Sequence, residues 1–241
     1  MKATLLIARR ELGGYFRTMT GYIIAALMLL ADGIGFQLFG LGAGEMYSAD
    51  VVSQFFWVLF GINVIGSIFI SMRLIAEERT SGTLPLIVSS PIHDWEIVLG
   101  KYLSALAFLA IVTLVTLYMP LMVLVNGKVS VGHIVAGYLG VMLAGSAVIA
   151  IGTFGSTLAR NQVMAAIVTA VMLLVLVLSH LFARVTDRPL KDMFMALALY
   201  ARHFPPFQSG AIHLRDVVYY ISLTYVALFG ATRVMEARRW K

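Results

Sequence analysis

Few residues in this chain combine the type and spacing that chemistry needs. Asp32 is the one carboxylate set deep in an apolar run, with Gly33 and Gly35 beside it. An ionisable group in hydrocarbon is costly, so it marks a functional path, a buried partner, or a place high enough to reach the outer interface. Asn63 and Gln37 are further polar groups in or near apolar runs and suit the interior of a bundle. The five histidines (His93, His133, His180, His203 and His213) lack metal-ligand spacing. No Ser/His/Asp grouping stands out. With no cysteine, disulfides and thiolate metal sites are excluded. Neither Gly100-Lys101 nor Gly127-Lys128 is a phosphate loop. Trp95 and Met122 stand where the first glycine belongs, and Tyr102 and Val129 where Ser or Thr belongs. The expectation is a chain that is not an enzyme and holds no metal or cofactor of its own.

The most informative polar stretch is 73–101. Glu77, Glu78 and Arg79 cluster first, and Gly82 then breaks the chain. Thr83 has the type to cap a new short helix whose first turn tolerates Pro85. Leu84, Ile87 and Val88 would give that helix an apolar face, and Ser89, Ser90 and Pro91 would end it. Asp94 has the type to cap the next helix, through Ile97 and Val98. Simple connectors are shorter and more polar. A short helix with a greasy face suits docking into a partner's groove.

What must position these residues follows from composition. The chain has 241 residues, 60% of them hydrophobic, and a mean hydropathy of +0.90. Charged residues make up 12%, against roughly 25% in a soluble domain. A soluble domain of this length could not hide so much apolar surface. That excludes an ordinary soluble enzyme, a disordered chain and a nucleic-acid-binding domain. The net charge of +6 reads as basic residues on the cytoplasmic side of a membrane. Six segments match the about 20 apolar residues of a crossing helix, at roughly 21–39, 52–72, 103–125, 134–158, 164–182 and 217–232. No alternating period suggests a β-barrel. The expected fold is an all-α integral membrane protein with six transmembrane helices. The chain 1–241 reads as a single domain, with an interfacial helix over 1–19 and the first five spans over 21–182. An outer loop covers 183–216, and the last span and a basic tail cover 217–241.

Basic residues set the orientation. Lys2, Arg9, Arg10 and Arg17 precede the first span, and Arg73, Arg79 and Lys101 lie in the second loop. Arg160 is in the fourth loop, and Arg233, Arg238, Arg239 and Lys241 are in the tail. The first loop has none, and the third has only Lys128. Both termini and loops two and four are therefore expected in the cytoplasm. The fifth loop opposes this with Arg184, Arg188, Lys191, Arg202 and Arg215, against Asp187, Asp192 and Asp216. Long loops weigh less in the charge rule; the rival is a miscounted or re-entrant segment within 193–204. Leu5, Ala8, Leu12, Tyr15, Phe16 and Met19 recur at helical spacing opposite most of the N-terminal cations, as in a helix lying in the interface plane. In the outer loop Phe194, Leu197, Tyr200, Ala201 and Phe204 form a second apolar side, ended by Pro205 and Pro206. It would be an interfacial helix or a cap over the bundle. The fourth span is rich in small residues, from Gly137 and Gly140 to Gly152 and Gly155, which permit close helix approach.

The run Glu78-Arg79-Thr80-Ser81-Gly82-Thr83-Leu84, followed by Ser90-Pro91 and Gly100-Lys101, resembles the signature of ABC-2 type permeases, the membrane subunits of ATP-binding-cassette transporters. Pro85 stands where that pattern has Glu. Phe204, Gly210, Asp216, Val217, Tyr219-Tyr220 and Arg238-Arg239-Trp240 resemble the gliding-motility-type branch. The resemblance implies the permease of an exporter that works with two cytoplasmic ABC ATPase subunits, where ATP and Mg would bind. It also implies a second permease copy or paralogue, and an auxiliary membrane protein with an extracytoplasmic domain. By the same resemblance, 84–90 is a short cytoplasmic coupling helix seated in the ATPase. Glu77, Glu78 and Arg79 form its membrane end, with Gly82, Thr83, Leu84, Ile87 and Pro91 in the coupling element, and helix 1–19 also touches the ATPase. Asp32 and Asn63 are candidates for a substrate path. Membrane lipids surround the chain, which would sit in a bacterial cytoplasmic (inner) membrane. The alternative is a non-transporting membrane subunit that passes ATPase motion to an extracytoplasmic partner. An integral membrane enzyme would need a convergent polar site, which the sequence does not display.

Overall fold

The computed structural model describes residues 2–42, 47–83 and 92–239. Among these residues there are helices and no strand. Helix α1 (Lys2–Arg17) precedes α2 (Met19–Gly35), which ends in a π-helical turn, Phe36–Leu41; α3 (Ser48–Ser71) and short α4 (Ala76–Thr80) follow. Then come α5 (Asp94–Val115), α6 (Tyr118–Asn126), α7 (Val131–Leu158) and α8 (Gln162–Val185). The outer loop holds α9 (Leu190–Leu197) and α10 (Pro205–Gln208), and α11 (Leu214–Arg239) closes the chain.

Six helical stretches are long and apolar enough to cross a membrane: Met19–Gly40, Ser48–Thr80, Asp94–Val125, Val131–Leu158, Gln162–Val185 and Leu214–Ala237. They match the expected six in order and number. Exposed Leu27, Leu30, Ile34, Val171, Leu174, Val175 and Val226 put apolar surface outward, which only a lipid solvent favours. The third span is broken between α5 and α6 around Thr116 and Leu117. Pro120 cannot donate to Thr116 O, which instead accepts from Met119 N at 3.0 Å. The last span begins and ends beyond the expected 217–232. Its polar end stays helical, with Arg233 bonded to Glu236 at 2.8 Å and lying over the Phe229 ring. Asp94 is the first residue of α5 rather than its cap; His93, extended at φ −73 and ψ 141, holds the cap position.

Helix α7 is the spine. Of its apolar window 72% is buried, against 17–56% in the other five spans. Small residues make this possible. A Cβ on Gly137 would overlap the Phe56 ring, and one on Gly152 would overlap Ser71, so α3 approaches α7 more closely than side chains would allow.

Loop positions follow from the contacts. Tyr15 Oη donates to Ile70 O at 3.1 Å, and Trp95 and Leu99 share a cleft with Arg233 and Glu236. Both ends of the chain therefore lie with loops two and four at one end of the bundle. At the far end Gln208 joins the outer loop to α3 and α7. Its carbonyl accepts from Ser53 Oγ at 3.0 Å and bonds His133 Nε2 at 2.8 Å, and its Nε2 donates to Ser53 O at 3.0 Å. The outer loop is a cap that dips into the bundle and adds no seventh span. Leu199, Phe204 and Phe207 are fully buried, with Phe204 packed 4.4 Å from the Phe60 ring and Phe207 against Gly140. Tyr220 Oη holds Leu199 O at 2.8 Å, and buried Asp216 accepts from His203 Nδ1 at 2.7 Å. Of the fifth-loop cations that opposed the orientation, Arg215 pairs with buried Asp216 at 3.3 Å and Arg188 with Asp192 at 3.8 Å.

Gly137→Val should overpack the α3–α7 contact and cost about 1–3 kcal/mol, seen as a lower unfolding temperature in detergent. Gly61→Ala, where nothing lies within 4 Å of an added Cβ, should not lower it.

Candidate functional site

The charged cluster of the second loop sits at the end of the bundle that carries both termini, and every member has a defined partner. Ser156, near the end of α7, receives Ile75 N and Ala76 N at 3.0 and 2.9 Å. It thereby satisfies backbone donors that the start of α4 leaves open. Glu77 takes the guanidinium of Arg73 at 2.8 and 3.1 Å, and Arg73 also reaches Thr20 Oγ1. Arg79 donates to Ala159 O and, at 3.2 Å, to Thr157 O. A cation on the last carbonyls of α7 complements the negative end of that helix. Glu78 turns the other way and meets Lys101 Nζ at 2.6 Å.

The turn after α4 is built for a sharp exit. Gly82 has φ +71, open to glycine without steric cost. Thr83 N reaches Glu78 O at 3.0 Å and Gly82 N reaches Arg79 O at 3.4 Å, the paired closure of a Schellman end. Thr83 Oγ1 lies 2.9 Å from Ser81 Oγ. The chain then leaves for 84–91. The short helix expected there, with Leu84, Ile87 and Pro91, lies outside the described residues.

Helix α1 completes the corner. Its Thr4, Ile7, Glu11 and Tyr15 side faces α5, where a Cβ on Gly100 would come within 2.9 Å of Ile7 Cβ and Thr4 O. The Tyr15 ring stacks on Phe108 at 4.7 Å, and burial raises its phenol pKa, keeping it a neutral donor. Leu5, Phe16 and Met19, expected on the apolar stripe, are exposed, as are Arg9, Arg10 and Arg17. The helix thus has one side against the protein and an exposed side that carries both apolar and cationic residues. Glu11 Oε1 lies 3.3 Å from Lys101 Nζ and 2.7 Å from Arg10 Nη2. Burial alone would raise the Glu11 pKa, but the two cations outweigh it and hold the carboxyl below its ordinary value. Its contribution to stability is present above the unfolded pKa and is lost as pH falls through the lowered folded one.

Asp32 and Asn63 are both buried. Asn63 Nδ2 donates to Leu59 O at 2.9 Å, and its Oδ1 accepts from Thr113 Oγ1 at 2.9 Å, a bridge from α3 to α5. The Asp32 side chain is enclosed by the protein, 1% exposed. Among the described residues its Oδ1 has no hydrogen-bond partner. Neither residue lines the apolar groove of about 550 Å³ between α2, α3 and α8, whose walls include Ile34, Leu38, Trp57, Phe60 and Val177. Among the described residues, no group of three His, Asp or Glu side chains is placed to hold a metal ion.

Reasoning from sequence passed over Lys101, Glu11 and Ser156. Two signals were there. Glu11 is the lone acid in the first nineteen residues, and a helix started by Asp94 carries Lys101 two turns into its interior, where an ion needs partners. Nothing in the sequence around Ser156 separates it from the other hydroxyls of the spans.

The corner brings α1, α4, α5 and α7 together around the exit of one loop. The family model described as ABC-2 family transporter protein matches residues 15–209, which span α2 to α10 and include the α4, α5 and α7 parts of the loop-two corner. No curated protein matches the chain. With six apolar crossing helices and a match over most of its length, the chain belongs to the ABC-2 transporter family and is the membrane permease subunit of an ABC transporter that works with an ATPase subunit.

Proposed function

We propose that this permease is one of two membrane subunits of an exporter driven by two cytoplasmic ABC ATPase subunits. It would sit in a bacterial inner membrane with both termini and the loop-two corner on the ATPase side. The second membrane subunit is another copy or a paralogue, and ATP and Mg bind on the ATPases. The observation that carries this reading is the corner itself. Glu78 and Arg79 fasten the exit of the loop to Lys101 on α5 and to the carbonyl end of α7. Pressure arriving through residues 84–91 is thus passed to α5 and to the spine, α7. Basic residues concentrated at that end support its placement in the cytoplasm. The open groove between α2, α3 and α8 suits an apolar substrate or the face of a second permease, and Asp32, buried beside it, remains a candidate for the path. The gliding-motility-type branch and an auxiliary membrane partner belong to this proposal through the sequence resemblance alone.

A second reading has its own support. Helix α7 is bonded to the corner at one end and to the outer cap at the other, through His133 and Gln208. A subunit that moves no substrate but passes ATPase motion to an extracytoplasmic partner would use the same connection.

Arg79→Glu should lower stimulation of the copurifying ATPase by about fivefold or more while the chain still inserts and elutes as the parent does. Loss of insertion with it would count against a coupling role. Single cysteines placed at Ile34 and Trp57 in this cysteine-free chain separate the two readings. An exporter predicts labelling by a water-soluble maleimide that changes with nucleotide. A transmitter without a path predicts protection in every state.

A further inference from the structure

We propose that Lys101 ties α1 and α4 into one lever, so that force on either helix is delivered to both. The proposal deepens the coupling reading and rests on it. The Lys101 side chain is 3% exposed, and its ammonium lies 2.6 Å from Glu78 and 3.3 Å from Glu11. One carboxylate belongs to α4 and the other to α1. Among the described residues no hydrogen bond joins α1 to α4 directly. A cleft of about 220 Å³ lies between them, lined by Glu11, Tyr15, Thr18, Arg73, Leu74 and Glu77. The ammonium on α5 is the element they share.

Charge balance makes the tie depend on that ammonium. Arg10 sits 2.7 Å from Glu11, so Arg10, Glu11, Lys101 and Glu78 form a neutral set of two cations and two anions. Without Lys101, the Glu11 and Glu78 carboxylates would lose the cation between them and repel one another. Gly100 adds the second half of the device: with no side chain, it lets α1 close on α5 at Thr4 and Ile7. The glycine admits the helix and the lysine fastens it. Lys101 touches no substrate and is a positioning residue. Its place is distinctive because α4 ends at Thr80, four residues before the 84–91 segment.

The test uses the full chain, labelled with nitroxides at Arg9→Cys and Ser81→Cys, both exposed positions. Pulsed EPR measures the distance between α1 and the turn after α4. In the otherwise native chain the distribution is expected to be narrow, and in the complex with its copurifying ATPase it should be the same with and without ATP. Lys101→Gln should broaden it, make it change with ATP, and lower ATPase stimulation by about fivefold or more. Lys101→Arg, which retains a cation able to reach both carboxylates, should restore both properties. If Lys101→Gln fails to insert, Glu11→Gln frees α1 alone and should give the same broadening. Narrow distributions in the Gln variants, or broadening with full stimulation, would overturn the proposal. A native chain that does not stimulate its ATPase would sink the coupling reading instead, and the distances in the chain alone would still decide whether Lys101 makes the tie.

Discussion

An ammonium removed from water holds the terminal end of this protein together. Lys101, buried among apolar helices, is met by Glu78 and Glu11 from two directions, and each carboxylate is placed by that shared contact. The cost of desolvating three ions is offset only by good geometry. That requirement sets where α1 lies, where α4 points and how the chain departs toward residues 84–91. The surrounding bonds serve the same placement. Ser156 seats the start of α4, Arg79 locks its end to α7, and Tyr15 pins α1 to the end of α3.

From this corner the structure continues as one packed body. Interiors this dense move as units and do not deform continuously. Helix α7 has 28 residues, about 42 Å at 1.5 Å per residue, and carries the corner on one end and the outer cap on the other. The cap is built from the same kind of contact: a buried carboxylate, Asp216, held by His203, and aromatic side chains seated where Gly140 leaves room. A shift of α7 therefore reaches both faces of the membrane. This is a physical basis for a permease whose two ends respond together, whichever of the two functional readings holds.

The six spans were legible in the sequence because hydropathy reports the solvent of a helix directly, and lipid demands long apolar runs. The break at Gly82 and the close approach at Gly137 were also readable, since only glycine meets those steric conditions. Other features depended on which residues meet in space. Lys101 appeared as part of a Gly-Lys pair at the edge of a span, and only the packing of α1 and α4 against α5 showed that Glu11 and Glu78 meet it. Asp32 was open between an outer interface and a buried place, because depth along a helix does not reveal which face looks inward. The outer loop resisted for another reason. Its amphipathic pattern is the same whether the apolar side meets lipid or the bundle, and the choice was made by Gln208, Tyr220 and His203 bonding to distant partners.

The central claim is that a passive membrane body is driven through the loop leaving α4. An electron cryo-microscopy map of the chain bound to its copurifying ATPase tests it most directly. The account predicts residues 84–90 as a short helix seated in a groove of the ATPase, with α1 alongside and Lys101 between Glu11 and Glu78. A map placing that segment across the bilayer from the ATPase, or folded into its own bundle, would contradict it.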